Sequence, residues 1–281
     1  MTLTLAAVAR YPVKSCRGHS VGSAVVEPWG LAGDRRWLVA DPDGLAVTAR
    51  TTPRMLLIEP VPLPDGLLLR APGLLDLRVR TPHGNPLADV QVWADRVKAT
   101  LADEDAHGWL TTAVGAPVRL AYLDDPRRRP VAPEYADAED RVSFADGFPM
   151  LLTSNASLAT LNDLIAAGPN AAGGPLVMTR FRPNLVVGGA APWAEDGWTA
   201  LRIGEARFRV VKACSRCVMT TVDPETATKG REPLATMVRH RRFGSKTWFG
   251  VNLIPDSAGV TVRVGDPVEV LGTRDGSEPL R

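Results

Sequence analysis

Two thiols set two residues apart, Cys214-Ser215-Arg216-Cys217, are the sharpest chemical feature of the chain. Such a pair has three uses. A structural zinc site wants four nitrogen or sulfur ligands, and only Cys16 and the scattered His19, His83, His107 and His240 remain to complete one. A thioredoxin-type dithiol is followed by a helix in a βαβ setting. Here the following segment is Val218-Met219-Thr220-Thr221-Val222-Asp223-Pro224, β-branched and ending in Asp-Pro. The third use is one thiolate on a soft or catalytic metal, with the neighbouring Arg216 charge favouring the ionised sulfur. Against all three stands the plain alternative of two inert thiols.

Basic turns form a second group. Lys14-Ser15-Cys16-Arg17-Gly18 follows a strand end but lacks the G-x-x-x-x-G-K spacing of a P-loop. Gly33-Asp34-Arg35-Arg36-Trp37 is either a buried Asp–Arg pair closing a turn or a bidentate arginine for an anion, and Arg180-Phe181-Arg182-Pro183-Asn184 has the same two readings. Three such turns in a nearly neutral chain suggest a concave anion site. Thr153-Ser154 lies where a strand meets a helix, a place whose free N–H groups favour an anion. Arg127-Arg128-Arg129 and Arg239-His240-Arg241-Arg242 are expected to be solvated turns or faces rather than a polyanion groove, and no nucleic-acid partner is expected. Glu104-Asp105 and Glu139-Asp140 also look like solvated faces. A G-x-S-x-G elbow and a G-x-G-x-x-G turn are both missing, which argues against a serine hydrolase and a dinucleotide enzyme.

The elements that must position these groups are mostly short strands. The chain has 281 residues, about twice the usual single-domain length, and its 25 Gly and 24 Pro imply many turns. Extended segments are expected at Leu3–Val8, Trp37–Ala40, Leu56–Glu59, Leu67–Leu69, Leu77–Val79 and Val90–Trp93, with a helix over Ala102–Val114. After the Pro-flanked polar stretch Asp124–Pro130, the strand Pro149–Leu152 leads into a helix capped by Ser154 or Asn155. Strands follow at Asn184–Val187, Leu201–Ile203, Phe208–Val211, Thr247–Leu253, Val260–Val264 and Asp266–Leu271, with a helix near Pro233–Arg239. The fold class is β-rich α+β, barrel-like in its second half.

Charge and composition exclude several classes. The 33 basic and 31 acidic residues give a formal charge of +2, and 45% of residues are hydrophobic, which rules out disordered, collagenous and supercharged chains. Three cysteines exclude a disulfide framework and suit a reducing compartment. The first ten residues lack a signal-peptide pattern, and no apolar run is long enough to span a membrane. A cytoplasmic protein without a membrane partner is expected.

In order along the chain, Tyr11-Pro12-Val13-Lys14-Ser15-Cys16, Gly33-Asp34-Arg35-Arg36-Trp37, Thr48-Ala49-Arg50 with Pro53-Arg54, Arg180-Phe181-Arg182-Pro183-Asn184, Cys214-Ser215-Arg216-Cys217 with Thr220-Thr221-Val222-Asp223-Pro224, Phe249-Gly250-Val251-Asn252 and Val264-Gly265-Asp266-Pro267-Val268 resemble MOSC proteins. The branch resembled is that of the mitochondrial amidoxime-reducing component and its bacterial counterparts, and the likeness covers nearly the whole chain. It implies an N-terminal β-barrel-like MOSC domain over residues 1–124 and a MOSC domain over 125–281. It also implies a molybdenum cofactor, a phosphate-bearing pterin dithiolene. The metal ligand maps to Cys217. Lys14, Ser15 and Arg35 match cofactor-binding positions in the first half, and Thr153, Ser154, Arg182, Ser215 and Arg216 match such positions in the second. Cys214 is then structural or lies behind the ligand. Asn252 stands where the mitochondrial relatives place an aromatic, so the contact implied there is altered.

The resemblance implies a molybdenum-dependent reductase of N-hydroxylated compounds such as amidoximes and hydroxylamines, acting as a monomer. Neither an anchoring region nor a ferredoxin-type extension is expected of this chain. An iron–sulfur cluster needs four cysteines, so electrons are expected from a separate ferredoxin-, flavodoxin- or cytochrome-type protein. Asp223 is the acid nearest the C-S-R-C segment and the candidate proton donor. Two rivals keep the same residues: a Cys217 persulfide that passes sulfur on, as in the sulfurase branch of MOSC proteins, and a non-catalytic cofactor carrier.

Overall fold

The structure, a computed structural model, describes residues 2–274; the outermost ends of the two expected domains lie outside them. Its largest sheet runs, in spatial order, through the strands Val268–Thr273, Trp198–Ile203, Ala206–Ser215, Lys246–Pro255, Met150–Ser154, Leu185–Gly188, Thr4–Arg10 and His19–Val21, with Arg242–Phe243 paired beside Lys246–Pro255. Thr4 also bridges to Pro267, next to the strand at the other end of this path. The two ends therefore meet and the sheet curls into a barrel. Inside lie Leu5, Val8, Leu152, Leu185, Leu201, Phe208, Val251 and Leu253, all almost fully buried. Each such aliphatic or aromatic side chain contributes roughly 2 kcal/mol by leaving water.

Connectivity crosses the sequence midpoint. Thr4–Arg10 pairs antiparallel with Leu185–Gly188, and Thr261–Arg263 pairs with Ser23–Glu27. The intervening chain builds a separate body. Trp37–Ala40, Arg119–Tyr122, Asp95–Leu101 and Leu87–Val92 form a four-stranded sheet, and Glu59–Leu63, Gly66–Arg70 and Leu77–Arg80 form a three-stranded one. Helix α1 (Glu104–Val114) covers this body with Ala106, Leu110, Ala113 and Val114, against Met55, Leu56, Leu67 and Leu120. Gly115, at φ 82°, ends the helix in the left-handed conformation that a side chain disfavours.

Helix α2 (Asn155–Ala166) starts at Ser154, whose hydroxyl accepts from the Ser157 N–H. Helix α3 (Leu234–His240) packs near it, with Met237 beside Leu161, Ile165 and Phe249. No helix among the described residues is long and apolar enough to cross a membrane.

Most expected strands are present, several extended by a few residues. The difference at Leu56–Glu59 is instructive. Pro53 sits in the first turn of a short 3-10 helix, Pro53–Leu57, and the strand begins only at Glu59, because a fixed proline φ suits a helical start. Six strands were not anticipated, namely His19–Val21, Ser23–Glu27, Gly30–Leu31, Asp95–Leu101, Arg119–Tyr122 and Arg242–Phe243.

Irregularity concentrates next to the C-S-R-C segment. The register between Ala206–Ser215 and Lys246–Pro255 shifts twice, at Val210/Lys212 and at Ala213/Ser215. Opposite, Gly250 has φ 76°, and a Cβ there would approach the Leu152 carbonyl oxygen to 2.6 Å. Bulges of this kind re-aim side chains, and these turn the strand end toward the junction of the two bodies.

Candidate functional site

A cavity, partly open to solvent, lies at that junction. The loop after the first strand supplies Lys14 and Ser15, the turn after Gly30–Leu31 supplies Arg35, and the segment before the Pro53 helix supplies Thr48 and Arg50. From the other half come Asp146, Arg180, Arg182, Cys214, Ser215, Arg216, Cys217 and Asn252. Eight of the ten expected site residues thus line one space. The other two do not. Thr153 Oγ1 is buried and donates to Met178 Sδ (3.2 Å), and Ser154 Oγ is spent on the Ser157 N–H (3.1 Å) and hydroxyl (2.8 Å). The helix cap that suggested an anion at Thr153-Ser154 is satisfied by the cap residue itself.

Cys217 is exposed to the cavity and Cys16 is buried elsewhere. The Thr220 N–H (3.1 Å) and hydroxyl (2.9 Å) both donate to the Cys217 carbonyl, which fixes the backbone that carries the sulfur. The cation beside this sulfur is not its sequence neighbour. Arg50 Nε donates to Cys217 Sγ at 3.3 Å, while Arg216 Nη1 turns to Cys214 Sγ (2.8 Å) and Nη2 to the Phe181 carbonyl (2.5 Å). Cys214 is thereby engaged and Cys217 remains accessible. Burial pushes the Cys16 thiol up to about 12 against the opposing effect of Arg182, so it takes no part as a thiolate.

Around the sulfur the basic groups are ordered by one aromatic and two carboxylates. The guanidinium carbons of Arg35 and Arg182 lie 4.3 and 4.2 Å from the Tyr11 ring centre. Arg35 Nη1 donates to Asp34 (2.6 Å) and Asn184 (2.9 Å), so this arginine closes its own turn and also faces the cavity. Lys14 Nζ donates to Asp146 Oδ1 (2.6 Å) and the Phe144 carbonyl (2.8 Å). Arg50 Nη2 donates to Asp146 Oδ2 at 3.0 Å. The crowding around Asp146 works against its charge, but Lys14 and Arg50 outweigh it and hold the carboxyl well below the usual carboxylate range. Asp223 is held low as well. Its partial burial is overcome by the Glu225 and Thr226 N–H groups and by Arg180. A carboxylate so committed is a poor proton donor, contrary to the expectation placed on it.

Two features distinguish the cavity from a surface merely lined with charge. First, Arg182 Nη2 and Arg216 Nε are buried and have no hydrogen-bond partner among the described residues, although buried donors are ordinarily paired. Burial also pulls the Arg182 guanidinium down to about 10, despite the opposing pull of Tyr11. Second, Ser15, Arg35 and Arg182 all have positive φ, at 68°, 46° and 57°. Left-handed backbone at residues with side chains is uncommon and clusters where function demands it. An anionic group with several acceptor oxygens would pair the orphan donors, and an exposed thiol beside a cation suits a soft metal. The residues present fit a phosphate-bearing metal cofactor held through Cys217.

Residues 2–117 match the family pattern described as MOSC N-terminal beta barrel domain, and residues 139–269 match the MOSC domain. The chain is 36% identical over 289 aligned residues to mitochondrial amidoxime-reducing component 1 of Homo sapiens, covering 96% of this chain and 83% of that protein. The chain belongs to the MOSC family. Mitochondrial amidoxime reducing component 2 of Bos taurus is 33% identical, over 92% of this chain and 80% of that one. A molybdenum cofactor sulfurase of Oryza sativa subsp. japonica is 32% identical over 89% of this MOSC chain but only 32% of its own length. The expectation of a cytoplasmic protein is overturned by these findings, since the relatives that match over most of their length are mitochondrial components by name.

Sequence reasoning missed two members of the cavity. Asp146 lies in a loop without periodic signal, and its side-chain partners Lys14, Arg50 and Trp93 lie 132, 96 and 53 positions away along the chain. Arg50 stood inside a stretch that resembles the family, yet nothing local placed its guanidinium on Cys217.

Proposed function

We propose that this MOSC protein is a molybdenum-cofactor-dependent reductase of N-hydroxylated compounds, amidoximes and hydroxylamines among them. The observation that carries the reading is the meeting of one exposed thiol, Cys217, with two buried guanidinium donors that lack partners, Arg182 Nη2 and Arg216 Nε. The names of the relatives supply the activity, and the donor set supports a cofactor that is both anionic and thiol-ligated.

On this reading Cys217 is the metal ligand, and residues 125–281 hold most of the cofactor. Arg182, Arg216 and Ser215 hold the phosphate-bearing part, with Lys14, Ser15 and Arg35 reaching it from residues 1–124 and Asn252 closing the far wall. When bound, the cofactor supplies the two-electron reduction that removes oxygen from nitrogen. The overall change takes R–NH–OH, two electrons and two protons to R–NH2 and water, the electrons coming from a separate redox protein. Arg50 keeps a positive charge against the Cys217 sulfur. Asp146, charged and 61% exposed, offers an acceptor to an N–H of the substrate at the cavity mouth. Tyr11 holds Arg35 and Arg182 in place by ring contact, so their charges stay aimed at the ligand without a surplus of water.

The test uses the purified full chain, metal analysis and reduction of benzamidoxime with an artificial electron donor. Wild-type protein should hold molybdenum in stoichiometric amount and turn over. Cys217→Ala should lose at least about a hundredfold in activity and most of its molybdenum. Cyanide-labile sulfur on Cys217 without molybdenum would instead establish the persulfide reading, and retained molybdenum without turnover would establish a carrier.

A further inference from the structure

A second depression adjoins the cavity. Lys14, Thr48 and Arg50 border both, and its remaining walls are Leu45, Ala46, Gln91, Val92 and Trp93. Three of these walls come from the end of the strand Leu87–Val92 and the turn that follows it. Its composition differs from that of the main cavity. It is aliphatic and aromatic, with one amide and with the cations gathered at the shared border.

Trp93 is out of place by local rules. Val92 pairs with Asp95, so Trp93 and Ala94 form a two-residue hairpin loop. Such loops favour Gly, Asn or Asp where φ is positive, and Trp93 has φ 58°. The ring is also 57% exposed, so burial does not offset the strain. Its contacts all face the site. The Arg50 guanidinium carbon lies 4.0 Å from its ring centre, and its Nε1 donates to Asp146 Oδ1 at 3.4 Å. The Gln91 side-chain amide donates to the Trp93 carbonyl at 2.8 Å and steadies the turn. A strained, exposed aromatic braced on the arginine that touches Cys217 has no account in folding and a direct one in recognition.

We propose that Trp93 is a substrate-specificity residue: with the exposed Leu45 it forms a subsite for a planar, aromatic body, joined to an N-hydroxylated head that enters the cavity beside Cys217 and Asp146. This rests on the reductase reading and deepens it by naming the shape of the substrate beyond its reacting group. An indole offers a flat apolar face and a polar edge, the pairing that an aryl ring attached to a polar head would use. Small aliphatic N-hydroxylated compounds would reach the metal without touching this wall.

The experiment compares benzamidoxime with acetamidoxime, which carry the same head on a phenyl and a methyl body. Kinetics of cofactor-loaded full chain are measured alongside calorimetric binding of both compounds. Trp93→Gly suits the turn and should fold at least as well as the wild type, and Trp93→Phe preserves a ring. The ratio of kcat/KM for benzamidoxime over acetamidoxime should fall about tenfold in Trp93→Gly, mainly through KM, and recover most of that in Trp93→Phe. The dissociation constant of benzamidoxime should rise by the same factor. An unchanged ratio in Trp93→Gly overturns the subsite. If neither compound is turned over by cofactor-loaded wild type, the reductase reading has failed, and the binding titration alone decides: benzamidoxime binding that Trp93→Gly weakens upholds the aryl subsite, and equal or absent binding of the two compounds overturns it.

Discussion

Arg129, buried behind the Ala145 and Asp146 backbone of the cavity wall, and Arg182, half-buried in the cavity lining, are built in opposite ways. Arg129 is 1% exposed and every nitrogen is used. Its Nε donates to Asp95 (3.0 Å), its Nη1 to the Ser143 (2.6 Å) and Ala145 (2.5 Å) carbonyls, and its Nη2 to the Asp146 carbonyl (2.9 Å). Arg182 makes one such bond, Nη1 to the Cys16 carbonyl at 2.7 Å, and leaves Nη2 orphaned. A saturated arginine organises chain: Arg129 gathers the loop 143–146 that carries Asp146 to the cavity. An incomplete one is held by ring stacking and strained backbone, with its hydrogen-bonding capacity kept for something else. The difference separates scaffold from site without reference to any relative.

The largest effect expected from this contrast is on stability. Arg129→Met removes four hydrogen bonds and strands two buried carbonyls and one half-buried one, each buried one worth about 1–3 kcal/mol when unsatisfied. Allowing for entry of water, the loss should be about 3–5 kcal/mol, a fall in melting temperature of roughly 10 °C for a chain of this size. Differential scanning calorimetry on cofactor-free protein reads it directly. A variant that melts within two or three degrees of wild type would break the claim that Arg129 is scaffold.

Arg182→Met should behave in reverse. A cation whose folded pKa is pulled down opposes folding wherever it is charged, and with a folded value of about 10 that includes neutral pH. Removing it should leave the cofactor-free melting temperature unchanged to within about 1 kcal/mol of stability, while cofactor retention after gel filtration falls at least about tenfold. A large drop in stability with retention intact would erase the distinction between the two arginines.

This contrast also marks what the sequence could and could not convey. The strands Trp37–Ala40, Leu77–Arg80 and Trp198–Ile203 announce themselves by apolar runs between turn residues, and α1 by its apolar periodicity before Gly115. These are local signals, and so they are legible. The C-S-R-C spacing is local too, which is why Cys217 stands out. Arg129 sits in a run expected to be solvated, and the structure overturns that expectation by burying it to 1% exposure; its saturation is a property of distant carbonyls and leaves no local signal. The same holds for the Arg50–Cys217 contact across 167 positions. Thr153-Ser154 misled for the converse reason: a strand-to-helix turn is legible, but whether its N–H groups await a ligand depends on which side chain caps them.

Asp146 joins the two arginine environments, since its backbone carbonyl accepts from Arg129 and its carboxylate from Lys14, Arg50 and Trp93. Its charge should therefore couple the site to the stability of the loop, and the sign follows from its lowered pKa. A carboxylate whose folded pKa lies below its unfolded value of about 4 stabilises fully above that pH and loses the contribution as pH falls through the folded value. With the side chain 61% open to solvent, screening keeps the effect to at most about 1 kcal/mol. Asp146→Asn should thus melt a few degrees below wild type at pH 7, and the gap should narrow steadily below pH 4. Melting curves of both proteins at pH 7, 5, 4 and 3 measure this. A gap that stays constant over that range would mean that the amide fails for lack of hydrogen-bond geometry alone, and that the charge of Asp146 serves the ligand and not the loop.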